Sequence, residues 1–281
     1  MGIYNKALVP YDGSESSKNA LRQACAMDDV LDLYVISVLP TYEGDLELIG
    51  VDNIKKIIEG PVQELIDEAK NIAKAAGRDI KTEARYGEPF QEIIDYAQDI
   101  GAHVIIMGRK GLSMMERQFI GSVTAKVVVH SDRDVMVLPQ GAKIKWSKLL
   151  VAVDQSEFAK RAFLRGVELA KIHGSSLEVV HVIFTFGKFC GVPPEAVKEI
   201  RARANAYMEQ LQKMAKDRGV DVSTNVLEGE VHEGIADAAQ EKEVDIIIMG
   251  SRGMSGIKRL MLGSVTEKVI GMVDCPVLAI H

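Results

Sequence analysis

The sequence predicts an α/β fold made of two tandem doubly wound units, each a five-stranded parallel sheet with helices on both faces. Three observations point there. The segment MGRKGLSMMERQFIGSVTAKVV at 107–128 returns at 249–270 as MGSRGMSGIKRLMLGSVTEKVI, an offset of 142, with half of the 22 aligned positions identical. Short apolar runs alternate with amphipathic stretches through both halves, the signature of strands alternating with helices. The runs VIIM and IIIM lack polar alternation, as strands buried on both faces do.

The same offset joins LVPYDGSESSKNAL (8–21) to LVAVDQSEFAKRAF (150–163), and TEARYGEP (82–89) to TNVLEGEV (224–231). LYVISVL (33–39) matches LEVVHVI (177–183) at 144, so a small indel lies in between. A period this long means two homologous domains rather than a solenoid. The length of 281 residues fits two, divided as 1–143 and 144–281 within the polar connector QGAKIKWSKLL. In each half a first strand (ALVPY, LLVAV) precedes a helix capped by Ser14 or Ser156. A second strand, a variable segment (40–60, 184–196) and a long helix follow, the first copy's helix reading PVQELIDEAKNIAKAAG. A third strand ends at Gly87 or Gly229. Then come the helices FQEIIDYAQDI and HEGIADAAQEK, the buried fourth strand, the helices SVTAKVVVH and SVTEKVIGM, and the last strands DVMVLP and PVLAI.

Composition narrows the function. Hydrophobic residues make up 47% and charged residues 26%, an ordinary globular mix, and the net charge of −6 argues against general nucleic-acid binding. Cys25, Cys190 and Cys275 show no CxxC spacing, so zinc or redox chemistry is not expected and a reducing cytoplasm is. The first residues carry no signal-peptide core, Lys6 stands where a myristoylation signal needs Ser or Thr, and no apolar run reaches the roughly 18 residues of a membrane helix. No membrane insertion is expected.

In such a sheet ligands bind beyond the carboxyl ends of the strands, where strand order reverses. Asp12 and Asp154 follow the first strand, and Gly108 and Gly250 follow the fourth, so two separated segments converge on one place. Glycine there can take positive φ and leaves room for a close ligand. Gly121-Ser122-Val123-Thr124 and Gly263-Ser264-Val265-Thr266 open helices, whose free N–H groups and dipole favour an anion. Arg109 and Lys110, or Arg252, add positive charge. The loops 109–120 and 251–262 are long enough to fold over phosphates, with Arg117 and Arg259 recurring in them as phosphate contacts or solvated charges. The plain alternative makes Gly108 a strand-ending turn and Ser122 an ordinary N-cap.

G-x2-G-x9-G-[ST] after an IIMG strand, with an Asp closing the first strand, resembles the universal stress protein family, and the resemblance spans the chain as two tandem domains. It implies a Rossmann-like fold of the adenine nucleotide α-hydrolase-like group and ATP or another adenine nucleotide in each half. It assigns the adenine side to Pro10, Tyr11, Asp12 and Val38, and to Val153, Asp154 and Val182. Met107, Gly108, Met249 and Gly250 pack against adenine and ribose. Gly111, Gly121, Ser122, Val123 and Thr124 take the phosphates, as do Gly253, Gly263, Ser264, Val265 and Thr266. Mg or Mn would be held through the phosphates rather than by protein carboxylates. Ala152 departs from Pro10.

No P-loop, GxGxxG, HExxH or GxSxG is present, and the six histidines are unpaired between copies, His181 facing Ser37 and His103 facing Asp245. Within the motif Glu116 faces Lys258 and Gln118 faces Leu260, so no shared group positions a hydrolytic water. A nucleotide-binding regulatory protein with slow or no hydrolysis is therefore expected, its state read by a protein partner. A nucleotide-processing enzyme of the same fold group and a nucleotide-free dimer module are the alternatives. The apolar last strands would leave sheet edges that invite pairing. The halves are expected to form an intramolecular pseudo-dimer, with further homodimerisation left open. Small-angle scattering should show one compact particle, and two freely moving lobes would contradict the pairing.

Overall fold

The computed structural model describes residues 2–39, 51–111, 120–185, 193–253 and 263–281, with the backbone alone for 51–60. It divides into two compact units, Met1–Ala142 and Lys143–His281. The first runs β1 (Lys6–Pro10), α1 (Glu15–Cys25), β2 (Asp32–Leu39), α2 (Val51–Ala75), β3 (Lys81–Tyr86), α3 (Pro89–Asp99), β4 (Val104–Gly108), α4 (Ser122–His130) and β5 (Asp134–Leu138). The second repeats the series as β6 (Lys148–Ala152), α5 (Glu157–His173), β7 (Ser176–Phe184), α6 (Pro194–Lys216), β8 (Val222–Gly229), α7 (Val231–Glu241), β9 (Ile246–Gly250), α8 (Ser264–Met272) and β10 (Val277–Ile280).

Within the first unit the strand order is β3-β2-β1-β4-β5, and every pairing is parallel. Within the second it is β8-β7-β6-β9-β10, again parallel. The chain winds outward from β1 to β3, then returns to place β4 on the other side of β1. Right-handed crossovers therefore put α1 and α2 on one face and α3 and α4 on the other, and each pair is in contact. Burial follows: every residue of β4 and of β9 is buried, which is why those runs read as unbroken apolar strings. The reversal of winding opens a crevice beyond the carboxyl ends of β1 and β4, and of β6 and β9.

The first turn of each unit is built by short polar side chains. Asp12 Oδ1 accepts the Ser14 N–H at 3.0 Å, and Asp154 Oδ1 accepts that of Ser156 at 3.0 Å. Ser14 caps α1 by accepting from Ser17 N–H, and Ser156 caps α5 by accepting from Ala159 N–H, as expected of these residues. One boundary differs from expectation. The sequence places the start of α2 at Pro61, whereas the helix begins at Val51 and carries Pro61 inside it. After the proline, Val62, Ile66, Ala69 and Ala73 are buried at helical spacing and seat the rest of the helix.

Four positions with positive φ recur at the offset between the copies: Gly13 and Gln155, Gly77 and Gly219, Gly87 and Gly229, Gly101 and Glu243. In the first unit all four are glycine. In the second, Gln155 (φ 67°) and Glu243 (φ 50°) hold a left-handed conformation that costs an L side chain on the order of 1–3 kcal/mol. Gln155→Gly and Glu243→Gly should each stabilise the second unit by about 1 kcal/mol after the entropy cost of glycine, raising its midpoint by about 2–4 °C in a thermal melt. No change, or a loss, would contradict the strain.

Candidate functional site

Each unit carries a cleft at its crevice. The first, of about 330 Å³, is lined by Pro10, Tyr11 and Asp12 from the end of β1, Ile36 and Val38 from β2, and Met107 and Gly108 from β4. Lys110, Gly111 and Gly121 to Thr124 complete one wall, and Ser17, Pro89 and Ile93 the others. The second, of about 530 Å³, is lined by Ala152, Val153, Asp154, Val180, Val182, Phe184, Met249 and Gly250. Arg252, Gly253, Gly263 to Thr266, Ala159, Val231 and Ile235 complete it. Both volumes suit a small-molecule site, for which ~300–1,000 Å³ is usual.

Gly108, Gly111, Gly250 and Gly253 are required by crowding, not by backbone conformation. None of Gly108, Gly111, Gly121, Gly250, Gly253 and Gly263 has positive φ, so the conformational reason does not apply to them. A Cβ on Gly108 would come within 2.7 Å of the backbone of Ser16, and one on Gly250 within 2.9 Å of that of Phe158. These glycines let α1 and α5 pack directly on the ends of β4 and β9. A Cβ on Gly111 would sit 2.6 Å from Asp12 Oδ2, and one on Gly253 2.7 Å from Asp154 Oδ2. The second glycine of the motif thus makes room for the carboxylate of the first strand, and brings the two segments together.

The helix that follows is locked to the strand. Thr124 Oγ1 donates to the Gly108 carbonyl at 3.0 Å, and Thr266 Oγ1 to that of Gly250 at 2.9 Å, both buried. Gly121 N–H donates to Arg109 C=O at 2.8 Å, and Gly263 N–H to Ser251 C=O at 3.3 Å. The threonines therefore line the clefts while their hydroxyls donate to a strand-end carbonyl, which fixes the helix start to the strand. The N-caps are Gly121 and Gly263, not Ser122 and Ser264, and neither helix has a side-chain cap. Among the described residues no side chain caps the first-turn N–H groups of α4 and α8, and the exposed Ser122 and Ser264 lie beside them.

Most of the residues singled out in the sequence meet at these clefts; Arg109 does not. It is 9% exposed, and its N–H continues the ladder to Leu138 C=O at 2.8 Å, so it lies one step before the turn into the cleft. Lys110, which aligns with Arg252, lines the first cleft instead. Arg252 also lies over the Phe158 ring at 5.4 Å. Arg117 and Arg259, and most of the loops 109–120 and 251–262, fall outside the described residues. Residues the sequence reading missed form the far wall: Pro89 and Ile93 of α3, Val231 and Ile235 of α7. Their signal was the duplicated apolar pair four residues apart, opening the helix after Gly87 and Gly229.

Polar bonds brace the first-strand turns from behind. Tyr11 Oη donates to Glu68 Oε2 at 2.6 Å, and Lys18 pairs with Glu68 at 2.8 Å. Burial first, and then the bond to Glu68, push the Tyr11 phenol well above its ordinary range, so it stays a neutral donor. Lys18 and Tyr11 together hold the Glu68 carboxyl below its usual value. Ser37 Oγ donates to Tyr11 C=O at 2.9 Å, and the aligned His181 Nδ1 lies 2.8 Å from Val153 C=O. The histidine does the serine's structural work, with Nδ1 as the protonated nitrogen.

A doubly wound α/β unit with a glycine-walled cleft between its first and fourth strands, occurring twice, defines a tandem two-domain α/β protein. The model of the Universal stress protein family matches residues 3–139 and again 145–281, and the chain belongs to that family. Universal stress protein YxiE of Bacillus subtilis is 36% identical over 147 residues, covering 48% of this chain and 99% of that protein. Universal stress protein Mb2028c of Mycobacterium bovis is 25% identical over 239 residues, 77% of this chain and 75% of its own. The crystal structure of a universal stress protein from Archaeoglobus fulgidus matches with a TM-score of 0.75 at 25% identity, covering 99% of this chain and 98% of that one.

Thr124→Val and Thr266→Val should each destabilise their unit by about 1–3 kcal/mol, because a buried strand-end carbonyl loses its donor, and serine at either position should recover most of it. Denaturant unfolding measures this. Equal stability of the valine and serine variants would show that the hydroxyl clamp contributes nothing.

Proposed function

We propose that this chain binds an adenine nucleotide in each of its two clefts and acts as a regulatory stress protein, its loaded state read by a protein partner. The observation that carries the reading is the repeated arrangement itself. In both units an apolar slot from the ends of the first two strands runs into an uncapped helix start with a cation beside it, Lys110 or Arg252. An apolar slot suits a purine base, and uncapped N–H groups with a helix dipole suit phosphate oxygens. Such a nucleotide would be held by Ser122 to Thr124 and Ser264 to Thr266 through backbone N–H groups, with Gly111, Gly121, Gly253 and Gly263 leaving space beside them.

Mg or Mn would join the site through the phosphates, since the described residues of the cleft linings offer amides and hydroxyls but one carboxylate each, Asp12 or Asp154, already engaged in a turn. Turnover is slow or nil on this reading, because the two motifs share no group able to position a water. No helix among the described residues is long and apolar enough to cross a membrane, and the cytoplasm is the proposed location.

Gly121→Val and Gly263→Val should each remove one site. Both positions have extended backbone dihedrals that valine tolerates, so the damage is local to the phosphate approach. Losing even two charge-assisted bonds, each worth roughly 1.5–3 kcal/mol, lowers affinity by about a hundredfold or more. Calorimetric titration with Mg–ATP should count two sites in the parent, one in each variant and none in the double, with circular dichroism unchanged. Parent stoichiometry in both single variants would contradict the assignment, and rapid release of ADP or AMP over many turnovers would favour an enzyme.

A further inference from the structure

Toward the amino ends of the strands, away from the clefts, the two units differ in what fills the space against the sheet. In the first, Tyr34 of β2 and Tyr96 of α3 lie edge to face with ring centroids 6.3 Å apart. Lys81 Nζ, 4.8 Å from the centre of the Tyr34 ring, donates to Tyr34 Oη at 3.1 Å and to Asp32 Oδ1 at 2.8 Å. Tyr34 pairs with Lys81 across β2 and β3, and in the second unit Glu178 pairs with Ser223 across β7 and β8. Ala238 of α7 aligns with Tyr96. Two phenol rings and a long ammonium side chain thus give way to Glu178, Ala238 and Ser223. A hollow of about 360 Å³ lies beside Glu178 and Ser223.

The hollow joins an apolar floor to charges of both signs. Leu149, Leu177, Val222 and Val244 line it, and all four are buried. Glu178, Asp221, Lys148 and Lys242 line it as well. Glu178 accepts from the Asn225 amide, and Lys148 Nζ donates to the Lys242 carbonyl at 3.3 Å. Among the described residues the Asp221 carboxylate and the Lys242 ammonium hold no hydrogen bond or ion pair, so both can turn to a ligand. A molecule with a carboxylate alone would be repelled by Glu178 and Asp221, and one with an amine alone by Lys148 and Lys242. A molecule carrying both charges is matched on both sides. In the first unit phenol rings fill the aligned place, and a ring of that size suits the floor.

We propose that this hollow in the second unit binds a small aromatic zwitterion, an aromatic α-amino acid by class. Its ring sits on the apolar floor, its ammonium faces Glu178 and Asp221, and its carboxylate faces Lys242. The volume is that of a small-molecule site. In the first unit the aligned place is taken by the chain's own Tyr34 and Tyr96, so one ligand binds per chain. The site is independent of what the clefts at the other end of the strands hold.

Calorimetric titration of the full chain tests this with four probes. They are tyrosine, tyramine (no carboxylate), 3-(4-hydroxyphenyl)propanoate (no amine) and glycine (no ring). Tyrosine should bind once per chain, and each of the others about tenfold more weakly or worse. D221N and K242M, both at exposed positions, should each weaken tyrosine about tenfold, and K242R should keep it. The triple variant E178Y/S223K/A238Y rebuilds the filling of the first unit and should abolish binding. Excess Mg–ATP should leave the tyrosine isotherm unmoved. The proposal is overturned if the parent takes no tyrosine, takes two, or gives it up to Mg–ATP. It is also overturned if tyramine, the propanoate or glycine binds as well as tyrosine, or if D221N, K242M or the folded triple variant binds it as the parent does. Should the triple variant fail to fold, the two exposed single variants decide the matter.

Discussion

The bond from the Thr124 hydroxyl to the Gly108 carbonyl, repeated from Thr266 to Gly250, is the constraint on which the site depends. It fastens the start of a helix to the end of a central strand across an intervening loop. With Gly121 N–H donating to Arg109 C=O, the loop is closed at its base by two bonds close together. The helix start is therefore aimed at the crevice by a strand buried along its whole length. The geometry is inherited from the core rather than from the loop, so the loops can differ between copies while both clefts keep one plan.

Glycine serves this constraint by being small. Gly108 and Gly250 admit a helix backbone against the strand end, and Gly111 and Gly253 admit a carboxylate from the neighbouring strand. These are contacts between segments about a hundred residues apart, and they convert a spacing motif into a three-dimensional corner. The positive-φ positions lie elsewhere, in turns and helix ends, and there the second copy has Gln155 and Glu243 where the first has Gly13 and Gly101. The crowded glycines are thus common to both halves, whereas two of the four conformational ones are not. A turn with a strained residue costs about a kilocalorie or so, whereas a Cβ driven into backbone displaces a whole helix.

Much of this was legible in the sequence because it was written twice. The strands VIIM and IIIM, the caps Ser14 and Ser156, and the convergence of Asp12 with Gly108 follow from periodicity, turn chemistry and the rule for parallel sheets. What escaped depended on side-chain direction and on packing between distant segments. Arg109 and Lys110 are neighbours in the sequence, yet one completes a strand ladder and the other lines the cleft. The sequence does not show that the Thr124 hydroxyl donates to the Gly108 carbonyl. Ile93 in α3 and Ile235 in α7 each line their own unit's cleft from a helix whose apolar stripe reads equally well as core. Pro61 signals a helix start, and the helix nevertheless begins ten residues earlier, at Val51.

The two units share a frame but differ in bracing and in lining. A Tyr–Glu–Lys network stands behind the first turn, whereas His181 and Tyr207 lie edge to face at 6.2 Å near the second. On the proposed function both clefts hold an adenine nucleotide. Native mass spectrometry of the full chain across an ATP titration tests it most directly. The account predicts two successive saturable adducts of nucleotide mass, displaced by excess adenine nucleotide and not by a pyrimidine nucleotide. A spectrum with no adduct, or with an unsaturable ladder that any nucleotide displaces, would contradict it.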